Sequence, residues 1–299
     1  MKTLGVEGEI INIEKPVRLA LLGCGSHAYR NILPSLRFVP DATLTVVCDK
    51  NEEKAKLFAK HHGAETYFSS TEELLNHYKE SYDAIIAIVG FCPVTGEPLY
   101  PKVLEPFLLK GIPVWLEKPP AASAKALESI TSSARKGNTF FQVGFKMMFS
   151  PSVEKVKKLI KKESFGKVRS FDASYAVTLP EDIRDLTNPD ARRFLDDIVH
   201  ILSQIQFLFG CPSKMTVFSN GVCDATAILE YEENIVGTLR ILGGVSVTGP
   251  AEYMRVIGSH SYHDNGCMIE LQNAEKVLFH DAGNPGSYGR DISFNLWVY

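Results

Sequence analysis

The first half of the chain alternates short apolar runs with longer segments of helical spacing. The apolar runs are almost continuously hydrophobic, as strands covered on both faces are. They read VRLALLG, TLTVVCD, DAIIAIVG, IPVWLE and TFFQVG. The segments between them are SHAYRNILPSLRFV, NEEKAKLFAKHHG, TEELLNHYKE, PLYPKVLEPFLLKG and SAKALESITSSARKG, and several end in glycine, a common helix stop. This alternation predicts an α/β fold with right-handed crossovers, which is a doubly wound parallel sheet.

The second half has a different pattern. PSVEKVKKLIKKE and the strongly apolar RRFLDDIVHILSQIQFLFG have helical spacing. The predicted strands are VRSFDASYAV, KMTVFSN, DATAILEYEENIVGTLRIL, YMRVIGS, CMIELQN and EKVLFH, with a hairpin loop at Glu232 to Asn234. The last segment, ISFNLWVY, also alternates like a strand. These patterns predict an α+β domain with a mostly antiparallel sheet.

The change of pattern near Phe149-Ser150-Pro151 predicts the domain organisation. Residues 1–16 form an N-terminal extension. Residues 17–149 form the α/β domain, and residues 150–299 form the α+β domain.

Composition narrows the range of functions. The chain has 299 residues, 45% of them hydrophobic, and a net charge of −3, which gives no electrostatic case for nucleic acid or an acidic membrane. It contains no apolar run near the roughly 18 residues that span a bilayer. The N-terminal segment MKTLGVEGEIINIEKP lacks the features of a signal peptide, and the six cysteines are scattered. We therefore expect a cytoplasmic protein that binds neither nucleic acid nor membrane.

A glycine-rich turn follows the first predicted strand and opens a helix. Its sequence, G-C-G-S-H-A, fits the dinucleotide fingerprint G-x-G-x-x-A. The first glycine permits a tight turn, the second lets the backbone approach a pyrophosphate, and the small last residue lets helix and strand pack closely. The predicted cofactor-binding residues of this turn are Gly23, Cys24, Gly25, Ser26, His27 and Ala28.

Asp49 ends the second predicted strand, where an acid accepts hydrogen bonds from an adenosine ribose. An acid here repels a 2′-phosphate, so the cofactor is predicted to be NAD(P) with NAD favoured over NADP. Lys50 follows directly and softens that preference. The alternative is that the glycines only make a tight turn and Asp49 caps the next helix.

Two further places carry candidate chemistry. The apolar run VWLEKPP ends in Glu117, Lys118 and Pro119, and a cis bond before Pro119 is a possibility that the structure can test. Asp196 and His200 are four residues apart in an apolar helical stretch and therefore share a helix face, so the carboxylate can orient the imidazole as a general base. A helix-surface ion pair is the alternative.

These motifs together resemble the Gfo/Idh/MocA oxidoreductases, which include glucose–fructose oxidoreductase and inositol dehydrogenase. The resemblance is carried by G-C-G-S-H-A, L-E-K-P-P, Q-V-G-F-K-M-M-F-S-P and L-D-D-I-V-H followed by F-L-F-G, in this order over residues 17–280. It implies that residues 17–149 are a dinucleotide-binding Rossmann domain and that residues 150–299 are an α+β domain for substrate binding and oligomerisation, whose open sheet often forms the oligomer interface. It also implies NAD(P)-dependent oxidation or reduction of a sugar, cyclitol or related hydroxy or keto compound.

The resemblance also implies roles for particular residues. The lysine of the E-K-P motif, here Lys118, lies beside the nicotinamide and the substrate hydroxyl in such enzymes. Asp196 and His200 complete the site, with the histidine as the usual acid or base. Glu117 and Pro119 join the cofactor-binding set, and a homodimer or homotetramer is expected.

Several other residues are weaker candidates. Lys146, Arg184, Arg192 and Arg193 would favour an anionic substrate if they gathered at one pocket, and a solvated basic surface is the alternative for each. Tyr175 lies on a strand expected to face the substrate, although strand tyrosines more often serve packing. His260, His263 and Asp264 spell H-x-x-H-D, but no third ligand motif is near, so no metal site is predicted.

The sequence leaves two other functions open. One is a hydrolase or lyase that uses NAD transiently on the same scaffold. The other is a non-catalytic NAD(P)-binding regulatory protein. Intact Lys118, Asp196 and His200 favour the oxidoreductase over the regulator.

Overall fold

The computed structural model describes residues 2–4, 10–12, 15–221, 223–244, 252–259, 266–280 and 291–295. The chain divides into two compact units, Met1–Gly144 and Phe145–Tyr299. The predicted His260-x-x-His263-Asp264 motif and the end of the ISFNLWVY segment lie outside the described residues.

The first unit is built on a parallel sheet. Its strands run in the order β5-β4-β3-β6-β7-β8, and each neighbouring pair is parallel. Two short strands before it, β1 (Lys2–Leu4) and β2 (Ile10–Asn12), pair antiparallel with each other. The strands of the parallel sheet are β3 (Val17–Leu22), β4 (Ala42–Cys48), β5 (Thr66–Phe68), β6 (Ala84–Ala87), β7 (Val114–Leu116) and β8 (Phe141–Val143).

Helices connect these strands, as the spacing predicts. The first begins with a π-helical segment, Ala28–Ile32, that continues into α1. Asn51, Ser70 and Ser123 cap three of the others through their side-chain oxygens. The α-helices are α1 (Leu33–Leu36), α2 (Glu52–His62), α3 (Thr71–Asn76), α4 (Tyr100–Leu109) and α5 (Ala124–Lys136).

Alternate residues of the central strand feed two apolar cores. Leu19 and Leu21 of β3 join a cluster with Leu33 of α1 and Ala55 of α2. Their neighbours Ala20 and Leu22 join a second cluster that contains residues of α4 and α5, including Leu104 and Ile130. The sheet is therefore covered on both faces, which is why its strands are almost continuously hydrophobic and why the doubly wound prediction is confirmed.

The second unit contains an eight-stranded sheet with the order β10-β11-β12-β9-β13-β14-β15-β16. Its neighbouring strands pair antiparallel except β12 and β9, which are parallel. The strands are β9 (Lys167–Tyr175), β10 (Lys214–Ser219), β11 (Ala225–Glu230), β12 (Val236–Ile241), β13 (Glu252–Ser259), β14 (Cys267–Gln272), β15 (Lys276–His280) and β16 (Asp291–Asn295). The mostly antiparallel prediction is confirmed.

Two helices, α6 (Pro151–Leu159) and α7 (Pro189–Phe209), supply apolar residues to the core of this sheet. Ile201 and Ile205 of α7 share that core with Phe171 and Ala173 of β9 and Met254 of β13. Strands such as β11 alternate buried and half-buried positions. One face of the sheet is therefore packed on helices and the other carries the more exposed side chains.

Candidate functional site

The glycine-rich turn lies at the carboxyl end of β3, in the first unit. Gly23 has a φ of +104°, and a Cβ atom there would lie 2.2 Å from the carbonyl oxygen of Ile88. Its N–H donates to the Cys48 carbonyl at 2.8 Å. Only glycine fits a backbone with this angle at this distance from a neighbouring strand.

Gly25 has the opposite surroundings. A Cβ atom there would meet nothing within 4 Å, so open space lies over this part of the turn. The Tyr29 N–H donates to the Gly25 carbonyl at 3.1 Å and begins the helix, which contains Ser26, His27 and the fully buried Ala28. Backbone amides at such a helix start can bind phosphate oxygens, so the turn fits a dinucleotide pyrophosphate.

Asp49 ties the turn to the end of β4. Its Oδ2 accepts the Cys24 N–H at 2.7 Å, and its Oδ1 accepts the Asn51 N–H at 2.9 Å. The next helix is capped by Asn51, not by Asp49, because the Asn51 side chain accepts the Lys54 N–H. Asp49 therefore organises the phosphate turn directly, while Lys50 is exposed beside it. Burial, as the main cause, raises the pKa of the Cys24 thiol to about 12, so this thiol stays protonated.

The L-E-K-P-P motif leaves the carboxyl end of β7. Glu117 is 8% exposed, its Oε2 accepts the Lys118 N–H at 3.2 Å, and its Oε1 lies 3.4 Å from Nε2 of His27. The Lys118–Pro119 peptide bond is cis, as the sequence suggested. Glu117 thus brings the E-K-P motif and the phosphate turn together within the first unit.

Gly144 was not identified from the sequence as part of this arrangement. A Cβ atom on Gly144 would lie 2.5 Å from Cζ2 of Trp115 and 3.2 Å from Oε1 of Glu117. Its N–H donates to the Leu116 carbonyl at 2.8 Å. The glycine of the Q-V-G-F-K motif was the available signal, and the structure shows that it makes room for Trp115 and Glu117.

In the second unit, α7 carries a polar stripe along an otherwise apolar helix. Asp196, Asp197 and His200 are half-buried, and Ile198 and Ile201 beside them are buried in the core. Asp196 and His200 are one helical turn apart and share a face, as the spacing predicts. The Ser203 hydroxyl donates to the His200 carbonyl at 2.8 Å.

A cavity of about 240 Å³ lies beside this stripe, and we call it the α7 pocket. Arg193, Phe194 and Asp197 line it from the helix. Arg193 and Asp197 form an ion pair, with Nε 3.8 Å from Oδ2. The full lining is Ala176, Val177, Thr178, Asp190, Arg193, Phe194, Asp197, Leu242 and Gly244.

Tyr175 lies directly before this lining in the chain, at the end of β9. Burial is the main cause that raises the pKa of Tyr175, and Asp197, Glu252 and Asp196 add to it in that order. The phenol therefore lies close enough to Asp196 and Asp197 on α7 for their negative charges to raise its pKa further. Lys146 is exposed, on the short 3-10 segment Lys146–Phe149 that packs against α7.

The remaining candidate arginines are engaged locally. Arg184 Nε lies 3.2 Å from Asp182 Oδ1, and Arg192 donates to the carbonyls of Leu186 and Thr187. These contacts support turn structure before α7 rather than a shared anion site. Among the residues that the structure describes, no group of three or more His, Cys, Asp or Glu side chains could hold a metal ion, and no helix is long and apolar enough to cross a membrane.

Comparison with known proteins agrees with both units. Residues 17–145 match the family model for the NAD-binding Rossmann fold of the oxidoreductase family, and residues 153–262 match the Gfo/Idh/MocA C-terminal domain. The scyllo-inositol 2-dehydrogenase (NADP(+)) IolU of Bacillus subtilis strain 168 is 29% identical over 233 residues, which cover 72% of this chain and 67% of IolU. The dTDP-3,4-didehydro-2,6-dideoxy-alpha-D-glucose 3-reductase of Actinomadura kijaniata is 25% identical over 162 residues.

The match to the Actinomadura reductase covers 54% of this chain but 46% of that enzyme, so the chain spans about half its length. Among solved structures, a dehydrogenase from Chromobacterium violaceum superposes with a TM-score of 0.75 at 18% identity, covering 94% of this chain and 81% of the other. At that identity the likeness shows the fold alone. Both domain models together match most of the sequence, and the chain belongs to the Gfo/Idh/MocA oxidoreductase family.

Proposed function

We propose that this protein is an NAD(P)-dependent oxidoreductase acting on a sugar, cyclitol or related hydroxy or keto compound. The observation that carries the proposal is the geometry of the phosphate turn. Only glycine fits the backbone at Gly23, open space lies over Gly25, and Asp49 accepts a hydrogen bond from the Cys24 N–H. When bound, the nicotinamide would supply or accept the hydride. The residues expected to hold the cofactor are those of the turn together with Asp49, Lys50, Glu117, Lys118 and Pro119.

The chain's own task is proton transfer at the substrate oxygen. A hydroxyl that loses hydride from its carbon must also lose its proton, and an amine or imidazole can accept it. Lys118 and His200 are our candidates for this step, and Asp196 lies one helical turn before His200 on the same face of α7. Lys146, Tyr175 and Arg193 are proposed to contact substrate hydroxyls near the α7 pocket.

The test is a turnover assay with both NAD and NADP against a panel that includes scyllo-inositol, other polyols, sugars and sugar acids. NAD(P)H absorbance reports the reaction. Lys118→Ala and His200→Ala should abolish turnover and leave nucleotide affinity nearly intact, whereas exposed Lys125→Ala should behave as wild type. Mutants of Lys118 and His200 that retain activity would defeat the assignment.

A nucleotide that binds without turnover of any panel member would instead support a regulatory protein. Turnover without net change in NAD(P)H absorbance would support the transient use of NAD by a hydrolase or lyase.

We further propose that NAD is the favoured cofactor. Asp49 places a carboxylate at the end of β4, where it would repel a 2′-phosphate. IolU is named for NADP(+), so the preference differs from that relative if the proposal holds. The ratio of the two nucleotide dissociation constants decides it.

A homodimer or homotetramer in the cytoplasm is also proposed. The sheet face opposite α7 carries a cavity of about 370 Å³ lined by Asp172, Thr238, Arg240, Tyr253 and Arg255, among others. Such a face can associate with a second copy. Sedimentation of wild type and of Arg240→Glu should show a larger species only for wild type, and a wild-type monomer would reject the proposal.

A further inference from the structure

A buried polar pair lies in the apolar interior of the second unit. Gln204 on α7 is fully buried, and Glu252, the first residue of β13, is 4% exposed. The Gln204 side-chain N–H donates to Oε1 of Glu252. Burying an amide and a carboxyl among apolar residues is unfavourable, so a pair in this place calls for an explanation.

Backbone contacts hold one member of this pair in position. The Glu252 N–H donates to Oδ1 of Asn273 at 3.1 Å, and the Asn273 N–H donates to the Glu252 carbonyl at 2.9 Å. Ile201, three residues before Gln204, and Ile205, directly after it, both lie in the core. The Gln204 amide is therefore held with its nitrogen toward β13.

This orientation directs the Gln204 amide oxygen away from Glu252. That oxygen is buried and accepts no hydrogen bond from any residue that the structure describes. An unmet buried acceptor is destabilising unless a donor reaches it in the working protein.

The helix offers one donor-bearing ring at the matching position. His200 precedes Gln204 by four residues, so the two side chains share a face, and helical side chains lean toward the N-terminus. The Gln204 side chain therefore extends over the turn that carries His200. Nδ1 of His200 is itself buried, and the structure shows no hydrogen bond between it and the Gln204 amide oxygen.

We propose that Gln204, held by Glu252, accepts the N–H at Nδ1 of His200 and so leaves Nε2 as the basic nitrogen for the substrate hydroxyl. Gln204 and Glu252 are positioning residues, and their role in catalysis rests on the proposed function. The hydrogen bond made by one ring nitrogen sets which nitrogen carries the proton.

The ionisation of Glu252 supports this arrangement. Burial, opposed by the hydrogen bond from Gln204, raises the pKa of Glu252 to about 7. Above that pH the carboxylate can only accept, which keeps the amide nitrogen toward it and the amide oxygen toward His200. Tyr175 is a titratable group beside Glu252, since the two residues pair across β9 and β13, and the α7 carboxyls Asp196 and Asp197 act on the Tyr175 phenol.

The test is the tautomer of His200, read by nitrogen NMR of the histidine-labelled full chain above pH 7. The chain has eight histidines, and the His200 signals are those missing in His200→Gln. We expect the Nδ1-protonated form in wild type. In Gln204→Leu we expect a shift toward the Nε2-protonated form, while Gln206→Leu, an exposed glutamine on the same helix, keeps the wild-type form.

Gln204→Leu leaves Glu252 buried without its partner, so this variant can fail to fold. The double variant Gln204→Leu/Glu252→Leu removes both polar groups and avoids that problem. It should fold and show the same loss of the Nδ1-protonated form. An unchanged His200 tautomer in the folded double variant, or an Nε2-protonated wild type, overturns the proposal.

Kinetics supply the second readout. With a polyol that turns over in the panel, the double variant should lose at least about tenfold in kcat, which is part of the roughly 10²–10⁴-fold that general acid–base catalysis contributes. KM should change little, and the pH dependence of kcat in the double variant should differ from that of wild type. Because the tautomer is measured without substrate, a failure of the proposed function leaves this inference separately testable.

Discussion

Nε2 of His27 lies 3.4 Å from Oε1 of Glu117, and this contact joins the phosphate turn to the E-K-P motif. The two residues are 90 positions apart in the chain but lie at the carboxyl ends of β3 and β7 in one sheet. Glu117 also accepts the Lys118 N–H. One carboxylate therefore orients residues of both motifs, at the edge of the sheet where ligands bind in open α/β folds.

Glu117→Gln should weaken nucleotide binding without unfolding the protein. The amide keeps an acceptor for the Lys118 N–H but loses the charge beside His27. We expect NAD affinity to fall about fivefold, which corresponds to roughly 1 kcal/mol. Calorimetric titration measures it, and Glu128→Gln on the exposed face of α5 is the matched control. Equal affinities in the two variants would show that the His27–Glu117 contact is irrelevant to binding.

The two glycines of the turn should respond differently to alanine. Gly23→Ala adds a Cβ at 2.2 Å from the Ile88 carbonyl oxygen and forces a positive φ on alanine, so we expect a loss of about 2 kcal/mol or more in the free energy of unfolding. Gly25→Ala meets no atom within 4 Å, so stability should be retained while nucleotide affinity falls. Urea unfolding and calorimetric titration separate these effects. A Gly25→Ala protein that binds NAD normally would argue against a pyrophosphate at this turn.

Asp49→Asn should change cofactor preference. The substitution removes the charge that repels a 2′-phosphate, so the NADP-to-NAD ratio of dissociation constants should fall by about tenfold, corresponding to roughly 1.4 kcal/mol. The change should shrink at high salt if it is electrostatic. Glu53→Gln, exposed in the first turn of α2, controls for net charge. No change in the ratio would remove Asp49 from cofactor selection.

The sequence was sufficient for the parts of the fold that follow local patterns. Five strands of the first sheet and its connecting helices were predicted because their apolar residues repeat with clear periods. The edge strand β5 was missed because its residues Thr66–Phe68 belong to no longer apolar run and stand between Glu65 and Ser69. The need for glycine at position 144 comes from the Trp115 ring, which would lie 2.5 Å from a Cβ atom there. Gln204 and Glu252 are 48 positions apart in the chain. No local spacing contains such contacts.

The stability of the protein should depend on pH through Glu252, and the sign follows from its raised pKa. In the unfolded chain this carboxyl has a pKa near 4.5, whereas in the folded protein burial raises it to about 7. Between these values the folded state holds a proton that the unfolded state has lost. The contribution of Glu252 to the free energy of unfolding therefore falls as pH rises from about 4.5 to 7, by roughly 3 kcal/mol.

Glu252→Gln removes this dependence, because an amide does not titrate. The variant should gain stability relative to wild type as pH is raised from 5 to 8 (roughly the window of the folded pKa), measured by urea unfolding at each pH. Glu270→Gln is the contrasting control, because the hydrogen bond from Tyr253 is the main cause that lowers the pKa of Glu270. Its stabilising contribution is present above the unfolded pKa and is lost as pH falls. If the wild-type and Glu252→Gln curves stay parallel across this range, the Glu252 carboxyl does not titrate as its burial requires, and the amide orientation inferred for Gln204 loses its support.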